Sequence, residues 1–88
     1  MIRVRLFASL REEAGSSEVE GRGRDVSQVA EDLSTRYGER FSQMARVSSF
    51  VVNGERATLR TAVADGDEVA ILPPVSGGGL PLRAADAG

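Results

Sequence analysis

The stretch "DGDEVAILPPVSGG", residues 65–78, holds a turn, a strand and a stop in one piece. Asp65-Gly66-Asp67 is turn chemistry, with a glycine free to adopt backbone angles that other residues avoid. Val69 and Ile71 then point one way and Ala70 and Leu72 the other, which predicts a strand over residues 68–72 with one face buried. Pro73 and Pro74 end that strand, because neither has an N–H to give to a ladder. Beyond them Val75, Ser76, Gly77 and Gly78 read as an arm.

A strand of this kind needs neighbours, and the start of the chain supplies one. In "IRVRLFA", residues 2–8, Ile2, Val4 and Leu6 alternate with Arg3, Arg5 and Phe7, the period of a half-buried strand. "SLREEAGSSEVEG", residues 9–21, carries Gly15 and two serines and reads as a turn-rich link into a weaker strand around residues 17–20. Together they predict an opening hairpin.

The period then changes. Val26, Val29, Ala30, Leu33 and Tyr37 recur at helical spacing, with Glu31, Asp32, Ser34, Thr35 and Arg36 largely on the other side. Asp25 stands at the N-cap with Gln28 as capping-box partner, and Gly38 stands where a left-handed residue would close the helix. "ERFSQMARV", residues 39–47, is ambiguous: Phe41 with Met44 or Val47 would plug the core from a short helical turn. "SFVVNGERATL", residues 49–59, is a hairpin built on Asn53-Gly54, the dipeptide that best accepts positive φ in a tight turn.

The order is strand, strand, helix, strand, strand, strand. One helix must cover one face of one mixed sheet, and a right-handed crossover lets the first and last strands lie side by side in its middle. The predicted fold is α+β, a ubiquitin-like β-grasp of about five strands with one main helix packed on one face. Phe7 and Leu72, on the face away from the helix, would then form an exposed apolar patch of the kind that marks a protein interface.

Composition narrows the function. A chain of 88 residues is one small domain. No apolar run approaches the ~20 residues that cross a bilayer, and the alternating start is unlike a signal peptide, so membrane attachment is not expected and a cytoplasmic location is. There is no Cys and no His, which removes thiolate nucleophiles, imidazole bases and the usual zinc ligands; a self-contained enzyme is not expected. With net charge −2 and its arginines scattered, the chain is not expected to bind nucleic acid. All 11 basic residues are Arg. A codon bias accounts for that, and so does an activated C-terminus, which an ε-amine would attack.

"VRLFASLREEAG", "VVNGE" and "DGDEVAILPPVSGG", with the lone helix between them, resemble the small subunit of molybdopterin synthase, one of the ubiquitin-like sulfur carriers. The match covers residues 1–78, and its strongest part is the acidic turn, strand and Pro-Pro-Val-Ser-Gly-Gly series taken together. The resemblance implies a non-catalytic sulfur donor. An adenylyltransferase of the ubiquitin-activating type would use ATP to adenylate the carboxyl of Gly78, and sulfide equivalents would displace AMP to leave a thiocarboxylate. The large synthase subunit would then receive that end, and the carrier itself would bind no cofactor or metal. Phe7, Leu72, Pro73, Pro74 and Val75 would contact these partners, with Arg11 at the rim.

The physics of the arm agrees with that role. From Pro74 to Gly78 an extended chain reaches about 13 Å at ~3.3 Å per residue. The prolines stiffen its root, and Gly77 and Gly78, lacking Cβ, suit a narrow channel.

One feature departs from the family. Residues 79–88, "GLPLRAADAG", follow the diglycine, so the carboxyl of Gly78 is held in a peptide bond; Gly79 offers a second diglycine register but does not end the chain either. The Ala, Gly and Pro content of this extension predicts disorder, which suits a cap that a peptidase removes after Gly78. It also fits a remnant on a chain that keeps only a binding surface, or an added segment foreign to the domain. A sulfur carrier for another pathway, such as thiamin, cysteine or a thio-metabolite, and a ubiquitin-like protein modifier remain alternatives.

Overall fold

Alternation at the start of the chain becomes strand β1 (Ile2–Leu6), with Ile2, Val4 and Leu6 buried and Arg3 and Arg5 exposed. The structure, a computed structural model, describes residues 1–74; Val75, Gly77, Gly78 and the extension 79–88 lie outside the described residues. Strand β2 (Glu18–Gly21) pairs antiparallel with β1, Val4 opposite Val19 and Arg5 opposite Glu18, so the first two strands do form a hairpin.

The link between them is helix α1 (Ala8–Ala14), where turn structure was expected. It holds because Leu10 is fully buried, and because Gly15, at φ 76°, closes it by donating its N–H to the carbonyl of Arg11. The central helix α2 (Val26–Tyr37) follows its sequence pattern, burying Val26, Val29, Ala30 and Leu33. Asp25 caps it, accepting the Gln28 N–H at 2.8 Å, while Gln28 Oε1 reaches back to the N–H of Arg24. At the other end Gly38 takes φ 103° and ψ −172°, a positive-φ conformation essentially confined to glycine but not the left-handed helical one, and hands the chain directly to helix α3 (Glu39–Arg46).

That third helix resolves the ambiguous segment. Phe41 is fully buried and stacks on Tyr37 with ring centroids 5.4 Å apart. Its partner in the core one turn on is Ala45; Met44 is half-buried and Val47 is 63% exposed, so Val47 plugs nothing. Helix α2, the longest of the three, is the expected main helix, with the shorter α3 packed against it and α1 against α3.

Strands β3 (Ser49–Val52) and β4 (Glu55–Ala57) form the Asn53-Gly54 hairpin, with φ of 50° and 84° at the turn. Strand β5 (Glu68–Leu72) lies between β1 and β3, parallel to the first and antiparallel to the second, giving the order β2-β1-β5-β3-β4. The first and last strands are thus central neighbours, as the crossover rule requires. One continuous core joins the inward residues of β1, β3 and β5 to Leu10, Val29, Leu33 and Phe41, leaving the opposite face of the sheet without a helix.

Candidate functional site

The uncovered face is defined by register. Paired residues in adjacent strands share a face, so Arg5 lies in a row with Ala70, Val51 and Arg56. The neighbouring row holds Leu72 and Ser49. Phe7 follows β1 as Leu72 follows Ile71 in the parallel pairing, and the Arg5 guanidinium sits 5.9 Å from the Phe7 ring centroid. Phe7, Val51, Ala70 and Leu72 are each half-buried, so the patch expected from Phe7 and Leu72 is present but less exposed than the sequence implied.

Charge grades across this face. At the end remote from the prolines, Arg3 lies between Glu18 at 3.3 Å and Glu68 at 3.8 Å. Both pairs are solvent-exposed, so they fix side-chain positions more than they add stability. Two residues further along β5 Glu68 gives way to Ala70, and two further still to Leu72. The apolar end is therefore the end from which the chain leaves the sheet through half-buried Pro73 and exposed Pro74.

The expected site residues separate. Phe7, Leu72, Pro73 and Pro74 are gathered at one end of β1 and β5. Arg11 is exposed on α1, and no hydrogen bond or ion pair among the described residues links its side chain to that patch. Val75, Gly77 and Gly78 fall outside the described residues. Val51, Ala70 and Arg56 complete the face and were missed; the alternation of "FVV" against a buried Phe50 is the signal that places Val51 outward.

Among the described residues no group of three or more His, Cys, Asp or Glu could hold a metal ion. The carboxyl of Asp67 is held below its ordinary value, first by the Asn53 side-chain amide and then by the Ala64 N–H. Those bonds brace turns; they do not face a substrate. The uncovered face is thus apolar at the end where β5 runs into Pro73 and Pro74.

The family profile described as the ThiS family matches residues 4–78, ending at the second glycine of the arm. The chain belongs to the ThiS family. Among curated relatives, the molybdopterin synthase sulfur carrier subunit of Mycobacterium tuberculosis is 37% identical over 81 residues, 88% of this chain and 96% of that protein. Small archaeal modifier protein 1 of Haloferax volcanii is also 37% identical, over 84% of this chain and 97% of that one. A chain of the Amycolatopsis orientalis BexX/CysO complex superposes with a TM-score of 0.75 at 28% identity, covering 89% of this chain and all of that one. The ThiS family assignment, the five-stranded β-grasp and these relatives make the protein a member of the ubiquitin-like sulfur carriers. No helix among the described residues is long and apolar enough to cross a membrane.

Proposed function

We propose that this protein carries sulfur on the carboxyl of Gly78, freed by removal of residues 79–88, and delivers it in molybdopterin biosynthesis. The observation that carries the proposal is the end of the family match at residue 78, on the diglycine, with ten residues beyond it. In support, the described residues give a mixed five-stranded sheet with an uncovered, half-buried apolar face, and Pro73 and Pro74 stand at the apolar end of that face.

A free carboxylate is a poor electrophile, so the chemistry belongs to partners. An adenylyltransferase of the ubiquitin-activating type joins the carboxylate to the AMP portion of ATP and releases pyrophosphate. A sulfide equivalent attacks the acyl carbon, AMP leaves, and the thiocarboxylate remains. Phe7, Val51 and Leu72 supply the contact face for that enzyme and for a large synthase subunit. A partner protein is supported by the structural neighbour found in complex with BexX, and the molybdopterin destination by the name of the mycobacterial relative. The arm must leave the body to be modified, and its root at Pro74 is exposed.

A second reading has its own support. The archaeal modifier is as similar to this chain as the molybdopterin carrier is, so transfer of the same acyl group to a target amine is the alternative fate. The deciding experiment is intact mass on the untagged protein from its native cells. A mass ending at Gly78 with one sulfur in place of oxygen is the expected result, and amide-linked conjugates in its place identify the modifier. A single species ending at Gly88 in cells making the cofactor overturns the carrier assignment.

A further inference from the structure

At the free edge of β4, sharing Arg56 with the open sheet face, runs a groove whose other walls the proposed carrier chemistry leaves unused. Its walls come from Arg46 at the end of α3, Ser48 and Ser49 at the entry to β3, and Arg56, Thr58 and Leu59. The whole chain has net charge −2, yet this groove is lined by two arginines and no carboxylate. Arg46 and Arg56 are exposed and form no ion pair among the described residues, unlike Arg3, Arg36 and Arg40. Leu59, 40% exposed, adds an apolar wall.

We propose that this groove docks an acidic, partly apolar segment of a partner protein, with carboxylates on Arg46 and Arg56 and an apolar side chain over Leu59. A guanidinium presents planar paired donors to a carboxylate, and the flanking hydroxyls of Ser49 and Thr58 add donors between them, the Ser48 hydroxyl being taken by the Met44 carbonyl at 2.7 Å. A polypeptide fits better than a nucleic acid because Leu59, 40% exposed, offers an apolar contact that a phosphate backbone cannot use. Glu31, which lines a neighbouring cleft with Arg46 and Leu59, restricts the segment's carboxylates to the side of Arg56 and the outer side of Arg46.

Position gives the groove a purpose. Ser49 is the register partner of Leu72, so the basic groove begins where the sheet ends and the arm departs. A partner held there lies beside the strand end that runs into Pro73 and Pro74. Exposed charge pairs act mostly on encounter rate and orientation, so the expected signature is strong salt dependence.

The test uses the full chain, labelled for amide NMR, titrated with a peptide of about twelve residues that interleaves Asp and Glu with Leu. The expected result is shift changes concentrated at Arg46, Ser49, Arg56 and Leu59, with the apparent Kd rising about fivefold or more between about 50 and about 200 mM salt. The Arg46→Glu/Arg56→Glu variant loses the response and Arg22→Glu/Arg24→Glu keeps it; Arg56→Gln serves, with a partial loss, if the double reversal does not fold. Shifts elsewhere, or a response unchanged in every groove variant, overturn the proposal. So do tighter binding of a single-stranded RNA of similar length and concentration-dependent shifts of the chain alone at this groove, which assign it to RNA and to a second copy. The result is independent of the fate of Gly78, so either proposal fails without the other.

Discussion

Asn53 and Asp67 lock two turns of the sheet together, although 14 positions separate them. The Asn53 amide nitrogen donates to Asp67 Oδ1 at 3.0 Å, its amide oxygen accepts the Glu68 N–H at 2.9 Å, and its backbone N–H donates to the Glu68 carbonyl at 2.8 Å. Asp67 completes the brace by accepting the Ala64 N–H at 2.8 Å. Asn53 is at once the residue that tolerates φ 50° in the β3–β4 turn and the residue that sets the start of β5.

This brace predicts an acid-sensitive contribution to stability. The Asn53 amide and then the Ala64 N–H favour the charged carboxylate, so its folded pKa lies below the ordinary 3.8. A depressed carboxyl stabilises the fold fully above its unfolded pKa and loses that contribution as pH falls through the folded value. Denaturation midpoints of wild type and Asp67→Asn are therefore expected to differ most near neutrality and to converge as pH falls below 3.8 and through the folded value. A gap that stays constant across that range contradicts the assignment.

Leu33 is the test of the core. It is fully buried on α2, packed into the cluster shared with β1 and β5. Leu33→Ala is expected to cost about 2–5 kcal/mol, a large part of what a domain this small has. Leu33→Asp buries an unpaired carboxylate and is expected to abolish the cooperative thermal transition seen by circular dichroism.

Gly23 is expected to tolerate no side chain. A Cβ there would stand 2.7 Å from Gln28 Cβ and 2.7 Å from the backbone nitrogen of Val29, and the second atom belongs to the first turn of α2 and cannot rotate away. Gly23→Ala must push the loop off the helix. A loss on the order of 1–3 kcal/mol in chemical denaturation is expected, against little change for Ala at Arg22, whose side chain is exposed.

What the sequence disclosed follows from the kinds of signal each element carries. The period of α2, its Asp25 cap and the Asn53-Gly54 turn are local, and each stands in the structure as its residues dictate. The sheet order followed from chain length and handedness, which leave little choice once the strands are placed. Helix α1 was missed because it has one buried residue, Leu10, and begins at Phe7 without a capping side chain, with Ala8 at φ 52°. Gly15 is its C-terminal closure, and a glycine beside two serines looks the same in a turn. In α3, which packs against α2 and α1, the core partner of Phe41 proved to be small Ala45, which a pattern of large apolar residues does not pick out. At the site, Phe7 and Leu72 were legible from alternation, whereas Val51 and Arg56 needed the cross-strand register.

The open face yields the prediction that separates docking from folding. Val51 and Leu72 sit on the uncovered side of the sheet, half-buried by their neighbours and outside the buried core. A carboxylate introduced at Val51 remains in reach of water, so Val51→Asp is expected to fold, while a partner that covers this face has to bury the new charge. Binding of a ubiquitin-activating-type adenylyltransferase, measured by calorimetry, is expected to weaken at least about tenfold for Val51→Asp and for Phe7→Asp. Arg3→Ala, at the ion-paired end of the same face, is expected to change affinity about threefold or less. Phe7 carries a second outcome, because its ring lies under the Arg5 guanidinium at the entry to α1. Should Phe7→Asp unfold the chain while Val51→Asp does not, Phe7 belongs to the seam between β1 and α1 and the docking face is centred on Val51, Ala70 and Leu72. Equal affinity for Val51→Asp and wild type would remove this face from the interface altogether and leave the arm to bind alone.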